Sequence, residues 1–277
     1  MSKKKNIKKV IPPLFLELYH SLVSKKENNV FWAGNYNSWE EAKKYSLGYE
    51  SSIILETVKN ALLKVKNGEA IYERDSVLFD KIQYSFPLLS ALMWISSRNK
   101  ELNIIDFGGS LGSSYFQNKF FINSVNADIT WNVVEQEHFV DCGLMNFQSE
   151  KLKFYRTIDE CFQTHKTNIL ILSGILQYLE TPQKILNFIS NFHFDYIIID
   201  LTGILVNSNK SILTLQQIPE SIYKASYPCW FFNEKELMDV FADNYNLIYD
   251  FDCELGNDLS LNNQIKAKYK GYFYTKI

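Results

Sequence analysis

Nowhere in the sequence do two cysteines stand at CxxC spacing. The four present, Cys142, Cys161, Cys229 and Cys253, read as free thiols of a reducing compartment rather than as a zinc site or a disulfide frame. Long apolar runs are also missing. The lysine-rich start, Met1–Val10, is followed by Ile11–Val23, which holds Pro12, Pro13, Glu17 and His20, so neither a signal peptide nor a membrane span is expected. The localisation expected on these grounds is cytoplasmic. Proline and glycine are scarce, 6 and 11 in 277 residues, which leaves no linker marked by composition. A basic excess is lacking: 29 Lys and Arg stand against 31 Asp and Glu, a formal net charge of −2 that argues against a nucleic-acid partner. No GxxxxGKS or GxxxxGKT stretch occurs, which removes a P-loop nucleotide hydrolase. No carboxylate cluster suggests a metal.

What is present is an ordinary globular composition, 46% hydrophobic and 22% charged, with 17 Tyr and 20 Phe that suit an aromatic-rich core. The texture changes near residue 100. Before it, apolar residues recur at helical spacing in Leu14–Leu22, in Ile53–Val65 and in Pro87–Ser97, so residues 1–97 are expected to form a helical N-terminal cap. After it, short apolar runs alternate with helix-like stretches. The strands are expected at Leu102–Phe107, Ile129–Glu135, Leu152–Tyr155, Asn168–Leu172 and Tyr196–Leu201. Leu247–Phe251 and Lys270–Lys276 close the set as an antiparallel pair. Such alternation implies a mostly parallel sheet covered on both faces. The expected fold over residues 98–277 is therefore α/β, Rossmann-like and seven-stranded.

Two strand ends carry chemistry. The run Asn103-Ile104-Ile105-Asp106 ends in an acid and passes into Phe107-Gly108-Gly109-Ser110-Leu111-Gly112, after which a helix begins. Glycines there let a ligand approach the backbone, and the helix start offers N–H groups to it. Gly108, Gly109 and Gly112 are candidate cofactor contacts, and Asp106 is placed to organise the loop and meet an amino group. The next strand ends at Glu135-Gln136, 23 residues after Gly112, where an acid can accept both hydroxyls of a ribose. Together they point to an adenosine-containing cofactor. The loop is not GxGxxG, so it lacks the pyrophosphate cradle of a dinucleotide site, and no Tyr-x-x-x-Lys pair follows the fourth or fifth strand. Both departures favour S-adenosylmethionine over NAD. An NAD-dependent oxidoreductase and a catalytically degenerate binding protein are the alternatives.

The acceptor side is less sharply marked. Asp200 ends the fifth strand at the carboxyl edge, where open α/β sheets bind ligands. The segment Gln216–Trp230 is expected to leave that edge and fold over the cofactor, which makes Glu220, Tyr223 and Tyr227 substrate-side candidates. Tyr223 and Glu220, with His138 three residues beyond Glu135, are the candidates for catalysis. Tyr178 lies just past the fourth strand. Trp32, Tyr36 and Arg74 come from the N-terminal part, Arg74 as a partner for an anionic group. His20, His165 and His193 are read as surface residues.

The stretches Phe31-Trp32-Ala33-Gly34-Asn35-Tyr36-Asn37-Ser38-Trp39-Glu40-Glu41-Ala42, Ser46-Leu47-Gly48-Tyr49, Tyr72-Glu73-Arg74-Asp75-Ser76, Asp106-Phe107-Gly108-Gly109-Ser110-Leu111-Gly112, Val133-Val134-Glu135-Gln136, Ser173-Gly174-Ile175-Leu176-Gln177-Tyr178-Leu179 and Pro219-Glu220-Ser221-Ile222-Tyr223 through Tyr227-Pro228-Cys229-Trp230-Phe231 carry a resemblance. In them the chain resembles a family of bacterial class I methyltransferases associated with surface-polysaccharide and glycan-modification gene clusters. The resemblance implies S-adenosylmethionine as cofactor, Ser173 beneath its methionine portion, and O-methylation of a sugar, sugar nucleotide or related glycan precursor. One departure stands out. Leu201 follows Asp200 where the family pattern has a basic residue, so any substrate contact made by that residue is missing here.

Overall fold

The computed structural model describes residues 30–46, 51–74, 76–164, 167–192, 194–218, 225–254, 258–262 and 264–277. The helix expected over Leu14–Leu22 lies outside them, as do Glu220, Tyr223, His20, His165 and His193.

The N-terminal part is not purely helical. Phe31–Tyr36 forms a strand, β1, followed by helix α1 (Trp39–Lys44), helix α2 (Ser51–Lys66) and a two-stranded hairpin, β2 (Tyr72–Arg74) and β3 (Val77–Phe79). Helix α3 (Phe86–Ser96) starts with Pro87 in its first turn, where a missing N–H costs nothing. In α2 the buried stripe is Ile54, Val58 and Leu62, spaced by four, and the helix stops at Asn67-Gly68 with Gly68 at φ +77°.

From residue 101 the chain winds as read from the sequence. Strands β4 (Glu101–Phe107), β5 (Asp128–Val134), β6 (Leu152–Tyr155), β7 (Ile169–Ser173) and β8 (Tyr196–Leu205) are linked by helices α4 (Ser113–Ile122), α5 (Glu137–Asn146), α6 (Ile158–Thr164) and α7 (Pro182–Phe192). All the pairings in the order β6-β5-β4-β7-β8 are parallel. Side chains alternate between the two faces. Ile104, Ile169, Ile171 and Ile198 pack into one core with α2, α3, α4 and α5, while Ile105, Leu170, Leu172 and Ile199 pack into the other with α6 and α7. Both faces are thus dry, which is why these strands read as nearly continuous apolar runs.

The remainder of the sheet corrects the seven-stranded expectation. Strands β9 (Ile212–Ile218), β10 (Ala225–Phe231), β11 (Tyr245–Asp252), β12 (Leu259–Leu261) and β13 (Ile265–Lys276) follow, with helix α8 (Glu234–Asp239) between β10 and β11. Among the described residues the sheet has eleven strands and is mixed, running β10-β9-β1-β12-β13-β8-β7-β4-β5-β6, with β11 on β13. Its cause is length. Strand β8 bends at Leu201, φ +50°, and continues to Leu205, whereas β7 pairs with it only as far as Asp200. The antiparallel β13 follows β8 over this whole span. It pairs with β11 through Lys270–Lys276 and with β12 through Ile265–Ala267, so the overhang carries a second group of strands. Strand β1 belongs to that group, between β9 and β12. Strand β10 ends the order, and Pro228 sits there at no cost to a central ladder. Among the described residues no helix is long and apolar enough to cross a membrane, and no group of His, Cys, Asp and Glu is arranged to hold a metal ion.

Candidate functional site

A cavity of about 1020 Å³ opens over the carboxyl ends of β4, β7 and β8. Its floor is built by the strand ends in turn: Asp106 and the loop Gly108–Ser110 from β4, Ser173 and Gly174 from β7, Asp200 and Leu201 from β8. Tyr269 of β13 and the end of β11, Phe251–Glu254, extend it sideways. The N-terminal part supplies the opposite wall through Tyr72–Arg74 and the segment Lys81–Leu88.

The glycine-rich loop is shaped by what its residues lack. Gly108 has φ +73°, and a Cβ there would sit 2.4 Å from Ile175 Cγ1. At Gly109 a Cβ would come 2.5 Å from Cγ of Asp106, so the carboxylate occupies the space that a side chain would take. Ser110 is also left-handed, φ +54°, and Gly112, φ +93°, caps α4. The loop therefore lies close on Asp106 and leaves the start of α4 open to a ligand.

Asp106 is buried, and its Oδ2 accepts a 2.9 Å hydrogen bond from the indole N–H of Trp131. Burial raises its pKa from 3.8 to about 6; the Trp131 bond works against this, and the nearby Glu135 carboxylate adds to it. Glu135 stands just past β5, half-buried. Its carboxylate accepts from the backbone N–H groups of Gln136, at 2.6 Å, and Ser110, so it reaches back to the loop. Burial pushes its pKa up as well, against those bonds and His138. Asp200, level with Ser173 across β7 and β8, accepts from Leu201 N at 2.9 Å, from the Cys253 thiol at 3.3 Å and from the Ser85 hydroxyl. Burial raises its pKa too.

The cavity brings together Arg74, Asp106, Gly108, Gly109, Ser173, Tyr178 and Asp200 among the residues singled out from the sequence. Gly112, Glu135, Gln136 and His138 lie beyond its lining, on the side of β5, where Gln136 caps α5 and the His138 ring contacts Phe139 at 4.9 Å. Trp32 is placed elsewhere. Because β1 is a strand of the sheet extension, its indole packs edge-on against Phe231 and Tyr269 in the core there. Tyr36 likewise packs beside Tyr45 and the small core around Ala42, away from the cavity. Of the segment Gln216–Trp230, the described parts belong to strands, β9 and β10 pairing antiparallel from Ile218↔Ala225 to Ile212↔Phe231, while residues 219–224 lie outside the described residues. Tyr227 stands on β10 one ring behind Tyr178, 5.4 Å away and nearly perpendicular, and the Tyr178 hydroxyl donates to Gln216 Oε1 at 2.8 Å.

Several further residues line the cavity, and only some of them are marked in the sequence. Glu73 is a buried carboxylate of β2 that accepts from the Ser113 hydroxyl at the start of α4, and from Ser76 N at 3.2 Å. Its only signal is its place beside Arg74 in the Tyr72–Ser76 stretch. The Arg74 guanidinium stands over the Phe79 ring, 5.3 Å from its centroid. Gln177, buried beside Tyr178, donates to Leu201 O at 3.0 Å. Ser85 and Cys253 carry no sequence signal, since only the fold brings them to Asp200.

The described lining holds five carboxylates, Glu73, Asp106, Asp200, Asp252 and Glu254, against two cations, Arg74 and Lys81. Asp252 is paired with Lys268 at 2.7 Å. The deep part of the cavity, with Glu73, Asp106 and Asp200, is acidic and suits a ligand bearing positive charge.

No protein-family model matches the chain. Among curated proteins, the ATP synthase gamma chain of Buchnera aphidicola subsp. Schlechtendalia chinensis is 31% identical over 122 residues, 41% of this chain and 39% of that one. The chain thus spans about two fifths of the length of the curated relative it matches, which assigns no family. Solved structures similar to the chain include the N-terminal domain of EvdMO1 in the presence of S-adenosylhomocysteine (SAH) and D-fucose, with a TM-score of 0.44 and 9% identity over 81% of this chain and 97% of that one. The S-adenosylmethionine-bound amino pentose methyltransferase CalS10 of Micromonospora echinaspora has a TM-score of 0.42 and 11% identity over 69% and 89%. The 4+2-cyclase SpnF has 0.44 and 8% over 87% and 98%. All three likenesses are distant, and they transfer no activity.

Proposed function

We propose that this chain is an S-adenosylmethionine-dependent methyltransferase that methylates an oxygen of a small acceptor, a sugar or related glycan precursor. The observation that carries the cofactor is the acid beneath the loop. Asp106 fills the space under Gly109, and Glu73 lies at the start of the next helix. An anionic pyrophosphate would meet these carboxylates, whereas a cofactor with an α-ammonium and a sulfonium is attracted by them. The residues present fit such a cofactor. Asp106 and the loop Gly108–Ser110, with Gly112 behind it, hold the methionine portion over Ser173, and Glu135 with Gln136 takes the ribose. When bound, the group supplies an electrophilic methyl on a cationic sulfur.

The chain's own residues then exclude water and orient the acceptor. Room for two ligands supports this division: the cavity reaches the upper limit of about 1000 Å³ usual for a single small-molecule site. The acceptor's place is the side of β8, β13 and β11, where Tyr178, Asp200 and Tyr269 stand. Aromatic faces beside hydrogen-bond acceptors suit a polyhydroxylated ring. Arg74 is available on the facing wall. Glu220, Tyr223 and Tyr227 belong to the acceptor side in this reading, and His138 to the ribose side. Trp32 supports the acceptor side from behind through Tyr269, and Tyr36 has no part in it.

The test is transfer of an isotopically labelled methyl group from S-adenosylmethionine to a panel of glycan precursors. Label in a sugar product supports the reading. Tight cofactor binding with no transfer to any acceptor would favour a binding protein on the same fold.

A further inference from the structure

The reaction on a hydroxyl needs a place for its proton, and among the described residues that line the cavity there is no histidine. The carboxylates differ in position. Asp106 lies under the loop, and Glu73 is tied to Ser113 on the same side. Asp252 is paired with Lys268. Asp200 stands at the bend of β8, where the pairing with β7 stops, two strands along from Asp106, which is about 10 Å across the sheet. That separation leaves the end of β7, with Ser173, between the carboxylate under the loop and the one on the acceptor side.

We infer that Asp200 takes the proton of the acceptor hydroxyl, and that the reacting end of the acceptor is neutral rather than a phosphate. The inference rests on the methyltransferase reading above. In the step, the acceptor oxygen attacks the methyl carbon and a C–O bond forms. The C–S bond breaks with its electron pair left on sulfur, and the O–H proton passes to the Asp200 carboxylate and from there to solvent. Three donors fix the carboxylate: Leu201 N–H, the Cys253 thiol and the Ser85 hydroxyl, the last from the N-cap of α3. A carboxylate so held is oriented, and none of these donors carries a charge that would neutralise it. The left-handed turn at Leu201 also matters, since its N–H points back to the carboxylate of the preceding residue. Burial favours the protonated form of Asp200, which strengthens it as a base relative to an exposed aspartate. The titratable groups electrostatically coupled to it are Cys253 and Tyr249, both raised by burial and carrying no charge at neutral pH.

The charge pattern restricts the acceptor. The two cations of the described lining, Arg74 and Lys81, belong to the N-terminal wall. The bend of β8 and the end of β11, which lies beyond β13, offer Asp200, Asp252 and Glu254 instead. A phosphate at the reacting end would face this carboxylate side, and Leu201 supplies no basic side chain next to Asp200.

The experiment uses the full chain, with SAH calorimetry as the folding control and labelled methyl transfer as the readout. Acceptors are neutral hexosides, the matching hexose phosphates and the matching nucleotide sugars. Asp200→Asn is expected to bind SAH within about twofold of wild type and to lose about 10²–10⁴-fold in kcat, the usual size of a general-base contribution. Ser85→Ala removes one donor to the carboxylate and is expected to move the acidic limb of the kcat profile to higher pH. A structural role for Asp200 would not produce that shift. Turnover by Asp200→Asn within about threefold of wild type, well short of a general-base loss, overturns the base, as does an unmoved limb in Ser85→Ala. Faster transfer to phosphorylated acceptors than to neutral ones, or no transfer to neutral ones by a protein that binds SAH, overturns the acceptor class. Failure of the wild-type chain to bind SAH at all strikes the methyltransferase reading itself, and is seen in the first titration.

Discussion

The indole nitrogen of Trp131 on β5 donates to Oδ2 of Asp106 on the adjacent β4 at 2.9 Å, and both residues are buried. This bond stabilises the ionised carboxylate and fixes it under Gly109. Trp131→Phe should therefore cost about 1–3 kcal/mol of stability, the range for leaving a buried polar group without its partner. It should also raise the Asp106 pKa further. Urea denaturation measures the first effect, and the pH dependence of SAH binding measures the second.

Asp106 itself gives a pH prediction. In the ligand-free protein its pKa is about 6, against an ordinary 3.8. The folded state therefore holds more protons than the unfolded chain between these values, so this group's contribution is fully present below pH 3.8 and is lost as pH rises through 6. Asp106→Asn should make the ligand-free protein more stable at pH 7, by up to about 3 kcal/mol. Cofactor binding has the opposite sign, because the ammonium needs the ionised form. Affinity for SAH should fall up to about tenfold per pH unit below about 6 in wild type, and the Asn variant should bind weakly with that dependence gone.

Gly109→Ala tests the close approach. Its methyl group would sit 2.5 Å from the Asp106 carboxyl carbon, so the acid must move. Binding of SAH should be lost while circular dichroism shows a folded protein. A variant that still binds tightly would show that the loop is not the site.

Glu135→Ala removes the carboxylate assigned to the ribose. The expected loss in SAH affinity is about 1–3 kcal/mol, the scale of charge-assisted hydrogen bonds. Since Glu135 now accepts from Ser110 and Gln136, a small destabilisation of the free protein should accompany it.

Much of the wound half of the sheet was legible because both of its faces are buried. Nearly continuous runs such as Leu102–Phe107 and Asn168–Leu172 declare such strands without needing alternation. The Asp106 loop was legible for a local reason: strand, acid, glycines and helix are consecutive. Of the extension, the antiparallel pair of β11 and β13 was legible in Leu247–Phe251 and Lys270–Lys276, and the rest was not. Strand β10 carries Pro228, which speaks against a strand unless the edge is known, and β12 is three residues long. Strand β1 gains its identity only by pairing with β9 and β12, which begin at Ile212 and Leu259, far along the chain. The acceptor side failed for the same reason: Ser85, Asp200 and Cys253 are distant in sequence and meet only because α3, β8 and β11 converge.

The most direct test is a calorimetric titration of the purified chain with SAH, S-adenosylmethionine and NAD near neutral pH. Micromolar binding of the first two with none of NAD is the expected result. Binding of NAD alone, or of none of the three, would contradict an S-adenosylmethionine site over Asp106.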